Sequence, residues 1–536
     1  MTALRIVVVT LAAVLAAAVV GASGAVFWAA PLALGVGLLL ALAAWYRPVV
    51  GATVVVAVVP AMSGLSRGLV IPAVKVSELL LVLCLGAMVL RRPDRWRPVT
   101  RTDVALLLMA VVAFGFAVFH AATGTSSLES LTRVGLQPAF FVIAYWVASR
   151  GVQRPEDLPV VLRWLLLVSL VPSLLAILQS FDVAGIPELL FSVTDGLLSE
   201  GARLASTRVT GPFPIWHSLG GYLLVPTTLA AVLLLRGDRR VLAPRWLVVV
   251  LLVNGAALVL SLTVTLLIWL PVALLVAAAA GGRALRGMAL VGLLALAAVL
   301  AFPTALQGRL DAQSSQTTAT TGGVLPQTVE YRILVWERDY VPLFDRAAAV
   351  GLGNDLPDDV LFPSTENQYI TLALRGGVTL PLVMVVALGA LALRAWRHAR
   401  APDVYRPGEA TPAVSRSAAL ALLGILAFMP LAMMVWPYFT NAGLSQALAG
   451  FAGAALALEP RRRSVAATAA ARERARAAGA DQVAQAPRIA NAARAAAPTG
   501  RGPGRTTSCL RDVRPARPPA SPGHVRRRRR PPRWPW

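Results

Sequence analysis

Trp246-Leu247-Val248-Val249-Val250-Leu251-Leu252-Val253-Asn254-Gly255-Ala256-Ala257-Leu258-Val259-Leu260 and, after Ser261, Leu262-Thr263-Val264-Thr265-Leu266-Leu267-Ile268-Trp269-Leu270-Pro271-Val272-Ala273-Leu274-Leu275-Val276-Ala277-Ala278-Ala279-Ala280 decide the fold class. No ionisable side chain lies between Arg245 and Arg283. Each run approaches the roughly 20 apolar residues a helix needs to cross a hydrocarbon layer of about 30 Å. In lipid every backbone N–H and C=O must be satisfied within the segment, so such runs are helices.

Similar runs recur from Leu4 to Leu458. The chain is 57% hydrophobic and 14% charged, against about 25% charged in soluble domains. That excludes a soluble enzyme carrying one anchor. Hydropathy places fourteen spans near residues 4–22, 25–44, 48–63, 75–90, 104–120, 134–149, 160–179, 214–235, 244–260, 262–280, 287–303, 368–393, 417–436 and 441–458. The third and sixth are short, which gives twelve to fourteen spans. The first run reads as a span and not a cleaved signal, because apolar runs follow it directly. The expected fold is an all-α, polytopic transmembrane bundle with one large extracytoplasmic loop holding short helices. Its parts are residues 1–303, with spans one to eleven and an outer loop at 180–213; the loop 304–367; the C-terminal spans 368–458; and a tail, 459–536.

Arginines set the orientation, since short cytoplasmic loops hold the excess of basic residues. One side takes Arg5 and Arg47, Arg91, Arg92, Arg95, Arg97 and Arg101, then Arg150, Arg154 and Arg163, Arg236, Arg239, Arg240 and Arg245, Arg283 and Arg286, and Arg394, Arg397, Arg400, Arg406 and Arg416. Before the tail that side has 21 basic residues and the other 10, so both termini are expected in the cytoplasm and the loops 180–213 and 304–367 outside. Residues 459–536 contain 19 arginines and 4 acids, a net of +15 within the chain's +24, with Arg526 to Arg530 in one run. This Ala-, Pro- and Arg-rich tail lacks the pattern of a core and reads as disordered. It could touch anionic lipid, and no specific nucleic-acid partner is expected. Cys84 and Cys509 are too remote in kind and place for a disulfide, and the four histidines show no ligand spacing, so no metal is expected.

Three polar segments stand out at the outer mouths of spans. Residues 203–222 read Arg-Leu-Ala-Ser-Thr-Arg-Val-Thr-Gly-Pro-Phe-Pro-Ile-Trp-His-Ser-Leu-Gly-Gly-Tyr. Arg203 and Arg208 precede a Gly211-Pro212 turn back into the membrane, placed to face an anion or lipid phosphates. In residues 330–354, Arg332 opens a helix whose apolar face is Ile333, Trp336, Tyr340 and Phe344, and Gly351-Leu352-Gly353 ends it in a turn. Such a helix would lie at the interface and roof a lipid-facing cavity. The third segment, Thr365-Glu366-Asn367-Gln368-Tyr369, opens a span in which Arg375 lies about two and a half turns down. Glu366 could cap that helix or act in chemistry. An arginine inside a span needs a polar cavity or an anion.

In this order and spacing the three segments, over roughly residues 200–385, resemble the O-antigen ligase and polysaccharide polymerase superfamily. Arg208 with Gly211-Pro212-Phe213, Arg332 with Trp336, Gly351-Leu352-Gly353, and Asn367 with Tyr369 carry the likeness. Glu366 stands where many ligases have histidine. The family's Ser-Arg-Gly turn is represented by Thr263-Val264-Thr265-Leu266-Leu267, without an arginine. The resemblance implies an integral-membrane glycosyltransferase that needs no metal or other cofactor. It would move a glycan from a polyprenyl-diphosphate-linked donor to the hydroxyl of a polysaccharide, lipid or cell-wall acceptor, at the outer face of a bacterial cell membrane.

Charge grows on the leaving diphosphate, and guanidinium groups suit it through bidentate geometry and fixed charge. Arg208, Arg332, Arg203 and Arg338 are the candidates to bind it. Glu366, Asn367 and Arg375 are the candidate catalytic residues. Glu366 would orient or deprotonate the acceptor hydroxyl, Asn367 would hold it or the sugar, and Arg375 would meet charge on the diphosphate. Glu366→Gln is expected to impair transfer and leave donor binding mostly intact, with His217 the next residue to try as base. The rival readings are a transporter or flippase for a lipid-linked saccharide and a catalytically inactive scaffold.

Overall fold

The computed structural model describes residues 29–69, 74–91, 98–183, 185–194, 208–314, 327–355, 360, 365–400 and 412–458. The chain divides into two units, Met1–Arg461 and Arg462–Trp536, and all described residues belong to the first. The span expected at 4–22, Arg203, Arg92, Arg95, Arg97 and the basic tail lie outside the described residues.

The described part is all-helical, without a strand. Six helices are long and apolar enough to cross a membrane: Arg101–Ala122, Asp157–Ser180, Trp216–Arg236, Ala284–Ala301, Thr379–Arg400 and Val414–Ala432. Shorter apolar helices cover Leu34–Tyr46, Pro48–Ala61, Pro244–Leu260 and Val264–Ala280.

Trp216–Arg236 is the centre of the bundle, with every residue from Ser218 to Leu233 buried. It can be buried all round because it is apolar all round; Thr227 donates back to the Leu223 carbonyl at 2.6 Å, while the hydroxyls of Ser218, Tyr222 and Thr228 are buried without a hydrogen-bond partner among the described residues. Around it pack Pro244–Leu260, Val264–Ala280, Pro412–Ala432 and Leu444–Ala455. Leu444–Ala455 approaches its neighbours closely through small residues. A Cβ on Gly450 would sit 3.0 Å from the Val55 carbonyl oxygen, and one on Gly453 would overlap that of Tyr145. Ala284–Ala301 is peripheral, with Gly287 its one buried residue: Leu290, Val291 and Leu294 rest against the core, while Leu285, Leu293, Leu296, Val299 and Leu300 are exposed.

Two polar features lock helices together inside this apolar frame. Asn254 donates to Ser169 Oγ at 2.8 Å and accepts from Ser173 Oγ at 2.7 Å, joining Pro244–Leu260 to Asp157–Ser180. Arg394, 8% exposed, donates to Thr100 Oγ1 at 2.7 Å, Tyr145 Oη at 3.1 Å and the Leu456 carbonyl at 3.2 Å. It thereby ties the start of Arg101–Ala122 to Gln137–Gly151 and to the end of Leu444–Ala455.

The run expected as one span over 368–393 is two helices, Gln368–Gly376 and Thr379–Arg400. Gly377 breaks it with φ 60° and ψ −167°, a conformation a side chain would resist, and a Cβ there would overlap the Ala349 carbonyl. Arg375 therefore lies in the last turn of a short helix that precedes the apolar helix Thr379–Arg400. The helix expected over the second segment is present as Gln327–Val335, a π turn at Trp336–Tyr340 and Val341–Ala347, but it begins at Gln327, so Arg332 lies in the last turn of its first part and does not open it. Its apolar face packs on the 368–376 helix: Val335, Tyr340, Leu343 and Leu374 form a small core bordered by Trp336, Phe344 and Ile370. The aromatic stripe is packing against protein.

Candidate functional site

The first segment folds as a tight loop pinned on both sides. Gln179 Oε1 accepts from the N–H groups of Thr210 at 3.0 Å and Gly211 at 2.8 Å, and Gly211 has φ 51°. Arg208, half-buried, donates through Nε to the Ser261 carbonyl and through a terminal nitrogen to Thr263 Oγ1, both at 3.1 Å. Its guanidinium carbon stands 4.0 Å from the centre of the Trp216 ring, a cation–π contact that fixes its plane. The Ser261-Leu262-Thr263 turn that receives it has Leu262 at φ 48°, a costly conformation for a branched side chain.

The second and third segments meet face to face. Arg332 Nε donates to Glu366 Oε2 at 2.6 Å, and Trp336 Nε1 donates to the Thr365 carbonyl at 2.7 Å. Residues four apart share one side of a helix. Arg332 and Trp336 together grip consecutive residues of the third segment, which is a physical account of the Arg-x-x-x-Trp spacing.

Within Thr365-Glu366-Asn367-Gln368-Tyr369, four side chains serve the fold. Asn367 Oδ1 accepts from the N–H groups of Tyr369 at 2.9 Å and Ile370 at 3.2 Å, which makes it the N-cap of the 368–376 helix. Thr365 pairs with Thr371 through their hydroxyls, and Gln368 Oε1 accepts from Phe439 N at 2.9 Å. Tyr369 Oη donates to the Pro430 carbonyl at 2.9 Å. Asn367 rather than Glu366 caps the helix, and its amide oxygen is engaged there. Glu366 directs its carboxylate at Arg332 from a backbone with φ 48°.

These elements bring several charges together. Arg208 feels the charges of Arg309, Arg332 and Glu366, and burial followed by the repulsion from Arg309 pushes its pKa down to about 9. It remains a cation at neutral pH. Burial and then Arg332 lower the pKa of Arg309, and the Nε of Arg309 is buried without a hydrogen-bond partner. His217 lies in the field of the same three arginines and stacks on Trp436 with ring centres 4.0 Å apart. Neither of its ring nitrogens is hydrogen-bonded among the described residues.

Arg309 had no motif to mark it. Its sequence signal is position alone: an arginine about two turns past the span ending at 303, on the helix Pro303–Ser314.

Arg338 and Arg375 are placed elsewhere. Arg338 is half-exposed and pairs with its neighbour Asp339 at 2.5 Å. Arg375 lies roughly 10 Å along the axis from Gln368, at 1.5 Å per residue, and is not among the charges acting on Arg208. Gly351-Leu352-Gly353 closes over that end of the helix. Leu352 N and Gly353 N both donate to the Leu374 carbonyl, at 2.5 and 3.2 Å, and a Cβ on Gly351 would lie 2.6 Å from Gly376 N. The two glycines allow backbone to meet backbone.

The chain matches no protein-family model and no curated protein sequence.

Proposed function

We propose that the chain is an integral-membrane glycosyltransferase, similar to O-antigen ligases and polysaccharide polymerases. It transfers a glycan from a polyprenyl-diphosphate carrier to an acceptor hydroxyl in the assembly of cell-surface polysaccharide. The observation that carries this reading is that Arg208, Arg309 and Arg332, from three separate stretches, lie in one another's field, with Arg332 bonded to the carboxylate of Glu366. Mutually repelling guanidiniums held in place by the fold cost stability, and an anionic ligand recovers it.

In the reaction the bond between the sugar's anomeric carbon and the diphosphate oxygen breaks. A bond from the acceptor oxygen to that carbon forms, and the hydroxyl proton leaves. Arg208, Arg309 and Arg332 meet the charge that grows on the departing diphosphate. Glu366 is placed to orient the acceptor hydroxyl or take its proton. Asn367 supports it by fixing the helix start. In this reading twelve to fourteen spans cross the membrane, both termini are cytoplasmic, and the cluster sits at the outer surface.

The test is conversion of a polyprenyl-diphosphate-linked glycan by the purified chain in liposomes, with Arg208→Met and Arg332→Met alongside. Each variant should lose about 10²–10³-fold in rate, the scale of one lost oxyanion contact. Movement of labelled lipid across the bilayer without a new glycosidic bond would instead favour a transporter or flippase.

A further inference from the structure

We propose that Glu366 sets the selectivity of the arginine cluster, withholding Arg332 from singly charged phosphate esters and releasing it to a diphosphate. This rests on the reading of the cluster as a diphosphate site.

An arginine cluster at a membrane edge faces an abundant competitor, the phosphodiester headgroups of the surrounding lipid. Bare guanidiniums would take them up and be blocked. Among the described residues whose charges act on Arg208, Glu366 is the one carboxylate, and it is already hydrogen-bonded to Arg332 at 2.6 Å with both side chains half-buried. A ligand that needs Arg332 must displace it. A phosphodiester has one negative charge, which the carboxylate already supplies, so the exchange gains little. A diphosphate esterified at both ends has two charges and greater length. It can hold Arg208 and Arg309 with one phosphate while the other replaces the carboxylate on Arg332. Discrimination of this kind uses a resident competitor in addition to attractive contacts.

The backbone is arranged for such an exchange. Thr365 is held through its carbonyl by Trp336, and Asn367 is held as the N-cap, so both neighbours of Glu366 are fixed. The side chain of Glu366 can swing between them without moving the helix. Its φ of 48° is a conformation that non-glycine residues adopt at a cost and that recurs at functional sites.

The full-length chain in detergent would be titrated with dioctyl diphosphate, esterified at both ends, with dioctyl phosphate, and with phosphatidylglycerol. Fluorescence from Trp216 and Trp336, which border the cluster, gives the binding signal. The wild-type protein should favour the diphosphate by at least about tenfold, the scale of one charge-assisted hydrogen bond. Glu366→Gln should bind dioctyl phosphate and phosphatidylglycerol about tenfold more tightly, with less than a threefold gain for the diphosphate, so that the preference collapses. Glu366→Asp, which tolerates a positive φ better and keeps the charge on a shorter arm, should fall between the two. A wild-type protein that prefers the diphosphate, with the same preference in both variants, overturns the inference and leaves the diphosphate site standing. Binding of neither probe class by the wild-type protein overturns both.

Discussion

Two groups of arginines withdrawn from solvent lie toward opposite ends of the helices, and they are built on opposite terms. Around Arg394 the guanidinium is met by Thr100, Tyr145 and the Leu456 carbonyl, and the neighbouring Arg150 lies 3.6 Å from Asp103. Each contact joins one helix to another. Around Arg208 the guanidiniums of Arg309 and Arg332 press on each other's charge. In the first group each guanidinium meets hydroxyl, carbonyl or carboxylate groups of the protein itself. The second is strained in charge and in backbone, at Leu262 and Glu366, and such strain collects where a protein binds or reacts.

The largest expected separation between the groups is in transfer rate. Arg332→Met should lower glycan transfer about 10²–10³-fold while the melting temperature of the purified protein stays within a few degrees, because relief of repulsion from Arg309 offsets the lost bond to Glu366. A rate unchanged in Arg332→Met would place the diphosphate elsewhere.

Arg394→Met should do the reverse. Removing that guanidinium takes one donor each from Thr100 Oγ1, which keeps the Asp103 N–H, from Tyr145 Oη and from the Leu456 carbonyl, and a buried group left unsatisfied costs about 1–3 kcal/mol. Incomplete relaxation and partial rescue by water bring the expected loss to about 3 kcal/mol. Thermal unfolding in detergent measures it. Equal melting temperatures for the wild-type protein and this variant would mean that the contacts do not hold the helices together.

Salt gives a smaller and cleaner contrast. Screening shortens from about 10 Å at 0.1 M to about 3 Å at 1 M ionic strength, and it acts on exposed charges more than on buried ones. Binding of a diphosphate at the Arg208 cluster should weaken several-fold over that range, while the destabilisation caused by Arg394→Met should hardly change. A diphosphate affinity indifferent to salt would argue for apolar binding of the lipid chain alone.

Why one group was legible in the sequence and the other was not follows from what each depends on. All-helical architecture is written in runs such as 246–260, because lipid leaves the backbone no other choice. Arg208 and Glu366 could be found because each borders a turn or helix start, and Arg332 because it stands four residues before Trp336 on one helical face. Arg309 could not, since its place beside Arg332 arises from how Pro303–Ser314 packs and not from neighbours in sequence. The capping role of Asn367 is within reach of residue preferences alone, as Asn is a strong N-cap and Glu is not. The break at Gly377 has a local signal in the Gly376-Gly377 pair, set between apolar stretches that would otherwise read as one span. The buried role of Arg394 is hidden: a basic residue near the end of a span reads as an orientation signal, and its three partners come from distant segments.

The smallest effect is expected where the loop over the Arg375 end of the 368–376 helix is fastened. Asp355 accepts from Ser127 N at 2.7 Å and from the Ser130 hydroxyl, and the neighbouring Asn354 N donates to Ser126 Oγ at 2.8 Å. These bonds hold Gly351 and Gly353 against the end of the 368–376 helix. Partial burial acts to raise the carboxyl pKa of Asp355, but the hydrogen bonds from Ser130 and Ser127 outweigh it and bring the pKa below its ordinary 3.8. A carboxylate lowered on folding contributes stability above its unfolded pKa and loses it as pH falls through the folded one. Between pH 5 and pH 3 the wild-type protein should therefore lose more stability than Asp355→Asn. The site is exposed and screened, so the difference should be only a few tenths of a kcal/mol. Hydrogen exchange at residues 126–130 is sensitive enough to read it, and identical acid responses in the two proteins would show that the loop is fastened by Asn354 and the glycines instead.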